Sequence, residues 1–127
     1  MKVEILVEGE DDIKPFTKIF EYKKSDEFIF FNSIEVIKNK ISRNLKLNIN
    51  ETLALFSAFI VVSLNEKKPV KAIQEYASQL VLPNQVLIGV PDLLKKLTFT
   101  VTTEQVKDEV IIVKHPIHSE SFISSTN

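Results

Sequence analysis

The segment from Leu53 to Leu64 constrains the fold more than any other part of this sequence. Ten of its twelve residues are apolar, and they fall on nearly all sides of a helix rather than along one stripe. A helix of that kind is normally buried inside a domain, and this one is too short for a bilayer, which needs about 20 apolar residues. We therefore predict a buried central helix from about Ile49 to Asn65. In a chain of 127 residues it would organise a single domain.

A capping signal precedes this central helix. Asn48 and Glu51 stand three residues apart before the apolar run, which is the spacing of a capping box. In such a box the Asn48 side chain accepts from the third helical N–H, and Glu51 accepts from the N–H of Asn48. Leu45 and Leu47 are expected to fill the core beside the helix start. This structural interpretation is favoured over a catalytic role for Asn48.

A second helix is predicted before the central one. Ser25 is a good N-cap residue, and the acidic residues after it suit the first turn of a helix. The helix should end near Asn44, because asparagine tolerates the left-handed conformation of a helix C-cap better than other non-glycine residues. Helical spacing predicts an apolar face made of Phe28, Phe31, Ile34, Ile37 and Ile41.

A third helix is predicted after Pro69, a residue that suits a first helical turn. Its apolar face would consist of Val70, Ile73, Tyr76, Ala77 and Leu80. Pro83 should begin a short helical turn that Gly89 ends. Val90 is expected to be extended because it precedes Pro91.

The last third of the sequence predicts a β-hairpin. Alternation of apolar residues with threonines over Leu97–Thr102 indicates a half-buried strand. The apolar run Val110–Val113 is its expected partner. The connection Thr103–Glu109 contains no glycine, so it should be longer than a two-residue turn.

The N-terminal residues carry another strand pattern. Residues 2–7 alternate β-branched residues with others, which predicts a strand. Asp12 is expected to cap a short helix around Pro15–Tyr22. Residues 1–24 then have two interpretations: a strand that covers an edge of the domain's own sheet, or an arm that docks on a partner.

The residue types exclude several classes of function. Sixteen basic and seventeen acidic residues give a net charge of −1, without the basic surplus of a nucleic-acid-binding protein. The absence of cysteine excludes a disulfide framework and cysteine zinc sites. We expect a cytoplasmic protein with neither nucleic acid nor membrane as a partner.

No constellation of residues predicts chemistry. His115 and His118 are the only histidines, and Pro116 between them disfavours a helix that would present both to a metal. The two glycines are 80 residues apart, so there is no glycine-rich phosphate loop. We predict no catalytic, cofactor-binding or metal-ligating residue, which favours a subunit over an independent enzyme.

Four landmarks occur in an order and at spacings that resemble the gamma subunit of nickel ureases. They are Leu45-Lys46-Leu47-Asn48 with Glu51, Ser57-Ala58-Phe59-Ile60, Gly89-Val90-Pro91 and His115-Pro116-Ile117. They are similar to that family's L-K-L-N-x-P-E, S-A-x-I, G-V-P and V-H-x-P-I segments. With the patterns above, the expected fold is α+β: a small bundle of three to four helices, a C-terminal β-hairpin and an extra N-terminal strand. Residues 25–117 would form the gamma-like domain, 1–24 an extension with a strand and a short helix, and 118–127 a flexible tail.

The resemblance implies a non-catalytic structural subunit of a complex that hydrolyses urea to ammonia and carbamate. In that family the nickel belongs to the alpha subunit, so no cofactor is expected in this chain. The partners would be urease beta and alpha subunits in an assembly with threefold symmetry. The expected interface residues are Leu45, Lys46, Leu47, Asn48, Glu51, Gly89, Val90, Pro91, His115, Pro116 and Ile117.

Departures from the family pattern leave an alternative open. A repurposed domain would also fit these departures, which are the extension, the longer hairpin loop, the tail, and Val61-Val62 at positions where the family tends to have glutamate and glycine. Such a domain would act as a standalone oligomer or a protein-binding module without urease partners.

Overall fold

The computed structural model describes residues 1–118. Within this range the chain forms four α-helices and one four-stranded antiparallel sheet, an α+β fold as predicted. The elements follow the order β1 (Lys2–Glu8), β2 (Phe16–Glu21), α1 (Glu27–Ser42), α2 (Ile49–Asn65), α3 (Val70–Ala77), α4 (Val90–Leu93), β3 (Lys96–Thr102) and β4 (Glu109–Lys114). The predicted tail lies, except for His118, outside the described residues.

The strand order of the sheet is β2-β1-β3-β4, with all neighbours antiparallel. Because side chains alternate across a strand, one face of the sheet carries the core residues. These residues are almost completely buried: Val3, Ile5, Val7, Leu97, Phe99, Val101, Ile111 and Val113. The predicted N-terminal strand and C-terminal hairpin are therefore confirmed, and β1 lies inside the sheet rather than on a separate arm.

The predicted short helix around Pro15–Tyr22 is wrong, because Phe16–Glu21 forms strand β2. Six residues of β2 pair with β1, which satisfies the backbone groups on the second edge of β1. The inward side chain of Phe20 packs on Phe30 of α1, with ring centroids 5.5 Å apart. These long-range contacts override the local signal from Asp12.

The central helix is confirmed at the predicted bounds, Ile49–Asn65. Eleven of its side chains are buried, and it packs against α1 and α3. Its buried hydroxyls bond within the helix, since Ser57 Oγ donates to the Leu53 carbonyl at 2.8 Å and Thr52 Oγ1 donates to the Asn48 carbonyl at 2.8 Å. No buried side-chain polar atom in the described residues lacks a partner.

The start and the buried face of α1 differ from the prediction. Ser25 lies in a 3₁₀ turn, Lys24–Asp26, and provides no side-chain cap. Phe30, Ile34 and Ile37 are the buried residues of α1, whereas Phe28 is 61% exposed. Phe30 contacts the aromatic rings of Phe20 and Tyr22 in the N-terminal region, and these contacts set the rotation of the helix.

The end of α1 follows the prediction for Asn44, which is left-handed at φ 59°. The Asn44 N–H donates to the Ile41 carbonyl at 3.0 Å, and the Leu45 N–H donates to the Lys40 carbonyl at 2.9 Å. This pair of bonds is a Schellman motif. Lys67 ends α2 in the same way at φ 59°.

The third helix buries a narrower face than predicted. Ile73 and Ala77 are buried, whereas Val70 and Tyr76 are exposed. The helix lies beside the edge of the sheet, where Gln74 Nε2 donates to the Ile112 carbonyl at 2.9 Å. The predicted turn at Pro83 is a 3₁₀ turn, Pro83–Gln85.

Candidate interface around the sequence motifs

The Leu45–Asn48 segment is held by backbone pairing with the loop before α4. The Leu47 N–H donates to the Gln85 carbonyl and the Leu87 N–H donates to the Leu47 carbonyl, both at 2.9 Å. This forms an isolated parallel bridge between Leu47 and Val86. Leu47 is completely buried as predicted, but Leu45 is 43% exposed. Leu45 belongs to the turn that ends α1, where its N–H donates to the Lys40 carbonyl, and it does not fill the core.

Lys46 links the same two segments through its side chain. Its Nζ donates to the Asn84 carbonyl in the turn that begins at Pro83. The carbonyl of a residue in a short turn has few helical partners, so a lysine ammonium is a suitable donor for it. Lys46 therefore has a structural role in joining this turn to the start of α2.

The capping box at the start of α2 is confirmed. Asn48 Oδ1 accepts from the Glu51 N–H at 2.8 Å, and Glu51 Oε1 accepts from the Asn48 N–H at 3.0 Å. Lys40 Nζ at the end of α1 contacts the Glu51 carboxylate at 2.7 and 2.9 Å. Burial raises the pKa of Glu51, but the bonds from Asn48 and Lys40 lower it more, so the pKa lies below its ordinary value. The pair connects the end of α1 to the start of α2.

Gly89 starts α4 instead of only ending the preceding turn. It occupies the N-cap position with φ +94°, a backbone conformation that glycine adopts at no steric cost. The expectation that Val90 is extended is wrong, because Val90 is the first residue of α4 and is buried. Pro91 then occupies the first turn, where its missing N–H removes no helical bond.

His115, Pro116 and Ile117 leave the sheet along the start of β3. The His115 N–H donates to the Lys95 carbonyl at 2.8 Å, and His115 has a left-handed φ of 51°. Pro116 and Ile117 are buried, while the His115 side chain is exposed. Burial of Pro116 and Ile117 in this chain's own core leaves His115 as the exposed part of that motif.

The N-terminal turn packs against α4, a contact that the sequence analysis missed. The Glu10 N–H donates to the Asp92 carbonyl at 3.1 Å, and the Lys95 N–H donates to the Glu8 carbonyl at 2.9 Å. A Cβ on Gly9 would lie 2.9 Å from the Asp92 carbonyl oxygen. Position 9 therefore requires glycine, because the backbone of α4 approaches too closely for a Cβ atom. A single glycine in an acidic turn does not reveal this contact from the sequence.

Four exposed apolar residues surround the motif segments, and we call them the motif patch: Leu45, Leu82, Leu87 and Ile88. Leu45 and Leu82 line one hollow of about 210 Å³. Leu87 adjoins Leu47 through the backbone bond described above, and Ile88, between Leu87 and Gly89, is fully exposed. The sequence analysis did not identify Leu82, Leu87 and Ile88, because a loop has no periodicity that separates buried from exposed residues.

A second apolar surface lies between α1 and α2. Phe31, Leu55, Phe59 and Val62 are among the residues that line a groove of about 390 Å³. Val61 is buried, whereas Val62 is 43% exposed and lines this groove. Of the two unusual valines, one therefore adds to the core and the other makes the surface of the groove more apolar.

The described residues contain no group of three or more histidine, cysteine or acidic side chains that could hold a metal ion. Within the same range, no helix is both long and apolar enough to cross a membrane. The motif residues instead cap helices, join loops and leave apolar side chains exposed. Exposed apolar side chains of this kind are suited to protein contact.

The sequence matches the family described as Urease, gamma subunit over residues 20–117. The chain belongs to the urease gamma subunit family. The match contains all four helices and the β3–β4 hairpin, and it ends at Ile117, the last motif residue. It begins within β2, so β1 and the first part of β2 precede it.

Proposed function

We propose that this chain is the non-catalytic gamma subunit of a nickel-dependent urease, a complex that hydrolyses urea to ammonia and carbamate in the cytoplasm. Its partners are urease beta and alpha subunits, in an assembly with threefold symmetry. The single observation that carries the proposal is the family match over residues 20–117.

The motif patch supports a role in assembly. Leu45, Leu87 and Ile88 lie in or next to family motifs and keep large apolar surfaces exposed. A fully exposed isoleucine contributes nothing to the core of its own chain, whereas burial against a partner would stabilise a complex by about 1.5–3 kcal/mol. We place the contact with the alpha or beta subunit here.

Nickel binding belongs to another subunit in this proposal. Within residues 1–118 no group of three or more histidine, cysteine or acidic side chains could form a ligand set. The residues that the structure describes thus do not fit a nickel centre, and the alpha subunit is the proposed holder of the metal.

Co-expression tests the proposal directly. The full chain, carrying a tag, is expressed with the urease alpha and beta chains of its own genome in medium containing nickel. We expect a recovered complex that contains alpha and beta chains, bound nickel and urease activity. Recovery of the chain alone, or with an unrelated partner, would leave the family assignment intact and refute the function.

A matched pair of variants tests the motif patch in the same assay. Ile88→Asp should reduce recovery of the alpha and beta chains, because it places a charge where apolar burial is proposed. Val36→Asp is the control, since Val36 is an exposed apolar residue on α1. Neither change should lower the melting temperature of the isolated chain by more than a few degrees. Equal recovery with Ile88→Asp and with the unchanged chain would refute this location for the interface.

A second candidate function is a repurposed family member without urease partners, as a standalone oligomer or a binding module. One observation favours it: β1, which precedes the family match, forms an inner strand of the sheet and contributes three core residues. The co-expression experiment separates the two functions, because only the first requires the alpha and beta chains.

A further inference from the structure

The N-terminal hairpin gives the sheet a free edge at β2. β1 is paired on both sides, with β2 and with β3, so β2 and β4 are the two edge strands. The β4 edge lies beside α3, where Gln74 donates to the Ile112 carbonyl. An unprotected edge strand offers its backbone N–H and C=O groups to other chains. The question for β2 is what discourages such pairing.

The open side of β2 presents the backbone groups of Thr17, Ile19 and Glu21. At the end of the strand, Tyr22 exchanges two backbone hydrogen bonds with Met1, at 2.9 and 3.0 Å. Hydrogen-bonded and non-hydrogen-bonded positions alternate along an antiparallel pair. The residues at odd positions of β2 therefore point their N–H and C=O groups away from β1, where they form a template for a further strand.

The side chains of β2 favour self-association as well. The segment Phe16–Phe20 is rich in aromatic and β-branched residues, and Lys18 is its only charged residue. Phe16 and Ile19 are 40% and 47% exposed. Short segments with high β propensity and low charge are typical of strands that aggregate. Lys18 is therefore the one residue within this segment that opposes association by its charge.

Lys18 occupies a core-facing position of the edge strand. It pairs with Ile5, which is completely buried, and directly paired residues project from the same face of a sheet. The Lys18 side chain is partly exposed, and its ammonium lies 5.1 Å from the centroid of the Phe20 ring. None of the ion pairs within residues 1–118 involves Lys18. The charge thus lies beside apolar groups and keeps its hydration at the open edge of the strand.

A strand paired with β2 would remove that hydration. It would lie about 4.8 Å away and would cover Lys18 from its open side, and burial of a charge without a partner is strongly unfavourable. A second copy that pairs antiparallel through its own β2 by a twofold axis brings core-facing residues opposite core-facing residues. These are Phe16, Lys18 and Phe20, none of which is acidic, so no such register provides a partner for the ammonium.

We propose that Lys18 keeps the free edge of β2 from pairing with a second copy of this chain. An inward-pointing charge on an edge strand is one of the ways in which sheet proteins avoid edge-to-edge association. Lys18 precedes the family match, which begins at residue 20. The hairpin that covers the edge of β3 thus moves the free edge to β2 and carries the residue that protects it.

Sedimentation equilibrium of the full chain over a wide range of concentrations tests the role of the charge. Lys18→Val should lower the dissociation constant for self-association at least about tenfold, because pairing no longer buries an unpaired charge. Lys18→Glu should behave as the unchanged chain does, since it also places an unpaired charge at this position. Lys71→Val is the matched control: it makes the same change of side chain and net charge at an exposed position of α3 and should have no effect.

A proline tests whether the association uses the free edge. Thr17→Pro removes an N–H that points away from β1, so it leaves the hydrogen bonds between β1 and β2 in place. Added to Lys18→Val, it should raise the dissociation constant again. The melting temperature of Lys18→Val, measured at low concentration, should equal or exceed that of the unchanged chain.

Four outcomes would overturn the proposal. They are no association of Lys18→Val at any concentration, association of Lys18→Glu as strong as that of Lys18→Val, association that Thr17→Pro does not weaken, and a lower melting temperature of Lys18→Val, which would attribute its association to unfolding. All measurements use the chain without alpha or beta chains, so this proposal and the urease function can fail independently.

Discussion

Substitutions at Asn48 and Glu51 separate the hydrogen-bonding and charge contributions at the start of α2. Asn48→Ala leaves the Glu51 N–H without its 2.8 Å acceptor, which should cost about 1 kcal/mol of the free energy of unfolding. Glu51→Gln keeps an acceptor for the Asn48 N–H but removes the charge opposite Lys40. The two side chains of this ion pair are 30% and 21% exposed, so its loss should cost about 0.5–1 kcal/mol. Glu51→Ala removes both interactions and should cost about 1.5 kcal/mol.

The two contributions respond differently to pH. Burial opposes ionisation of Glu51, but Asn48 and Lys40 favour it more, so the folded-state pKa lies below the unfolded-state pKa. A group with a depressed folded pKa stabilises the fold fully above its unfolded pKa, and that stabilisation is lost as the pH falls through the folded pKa. Glu51→Gln should therefore destabilise at neutral pH and become nearly neutral in acid. Asn48→Ala should cost about the same at both pH values, because the amide does not titrate.

Urea denaturation followed by far-ultraviolet circular dichroism measures these differences at low ionic strength, where ion pairs are least screened. Glu35→Gln is the matched control, since the Glu35–Lys38 pair is 3.5 Å long and largely exposed; it should change stability by less than about 0.5 kcal/mol. An equal loss for Glu51→Gln at neutral and acidic pH would refute the electrostatic part of the argument. A negligible loss for Asn48→Ala would refute the capping part.

Three further predictions concern the N-terminal region and α4, and all use the same denaturation assay. Gly9→Ala should destabilise by about 1–3 kcal/mol, because the new methyl group meets the Asp92 carbonyl oxygen at 2.9 Å. Gly89→Ala meets no atom within 4 Å and should cost about 1–2 kcal/mol through its positive φ alone. Asparagine tolerates a positive φ better than alanine, so Gly89→Asn should destabilise the chain less than Gly89→Ala. Equal losses of stability would contradict this explanation. Ile5 is buried and Leu6 is 41% exposed, so Ile5→Ala should lower the free energy of unfolding by about 2–5 kcal/mol and Leu6→Ala by less than about 1 kcal/mol. No loss of stability in Ile5→Ala would show that β1 is not part of the core.

The central helix and its cap were predictable because their signals are local. The bounds of α2 follow from the capping residues Asn48 and Glu51 and from the length of the apolar run. The left-handed Asn44 was equally predictable, since its conformation depends on the end of one helix and on the residue type. The buried strands followed from strict alternation at Val3, Ile5 and Val7.

The errors concern segments whose structure depends on distant residues. Phe16–Glu21 is a strand because β1 provides its partner, and nothing within the segment specifies that pairing. Phe28 appeared to belong to an apolar face because helical spacing gives the period of a face and leaves its rotation undetermined. The aromatic contacts of Phe30 with Phe20 and Tyr22 fix that rotation.

The exposed apolar surface around the motif segments was not predictable from the motifs themselves. The motif segments around Leu45 and Gly89 do lie together, joined by the bridge between Leu47 and Val86. Leu47, Val90 and Ile117 nevertheless face the core, and the exposed apolar surface comes from Ile88 and its neighbours. Family motifs record residues needed for folding as well as for contact, and only burial separates the two groups.

The boundary of the family match does not coincide with a boundary of folding. Starting the chain at residue 20 would remove all of β1 and leave β3 with seven residues unpaired along one edge. It would also remove Val3, Ile5 and Val7, each at most 1% exposed, from the core. An open strand edge of that length pairs readily with other chains, and the lost apolar contacts would each cost about 2 kcal/mol. In this member of the family, β1 therefore closes the hairpin edge from within the chain, and no other chain can add a strand to β3 at that edge.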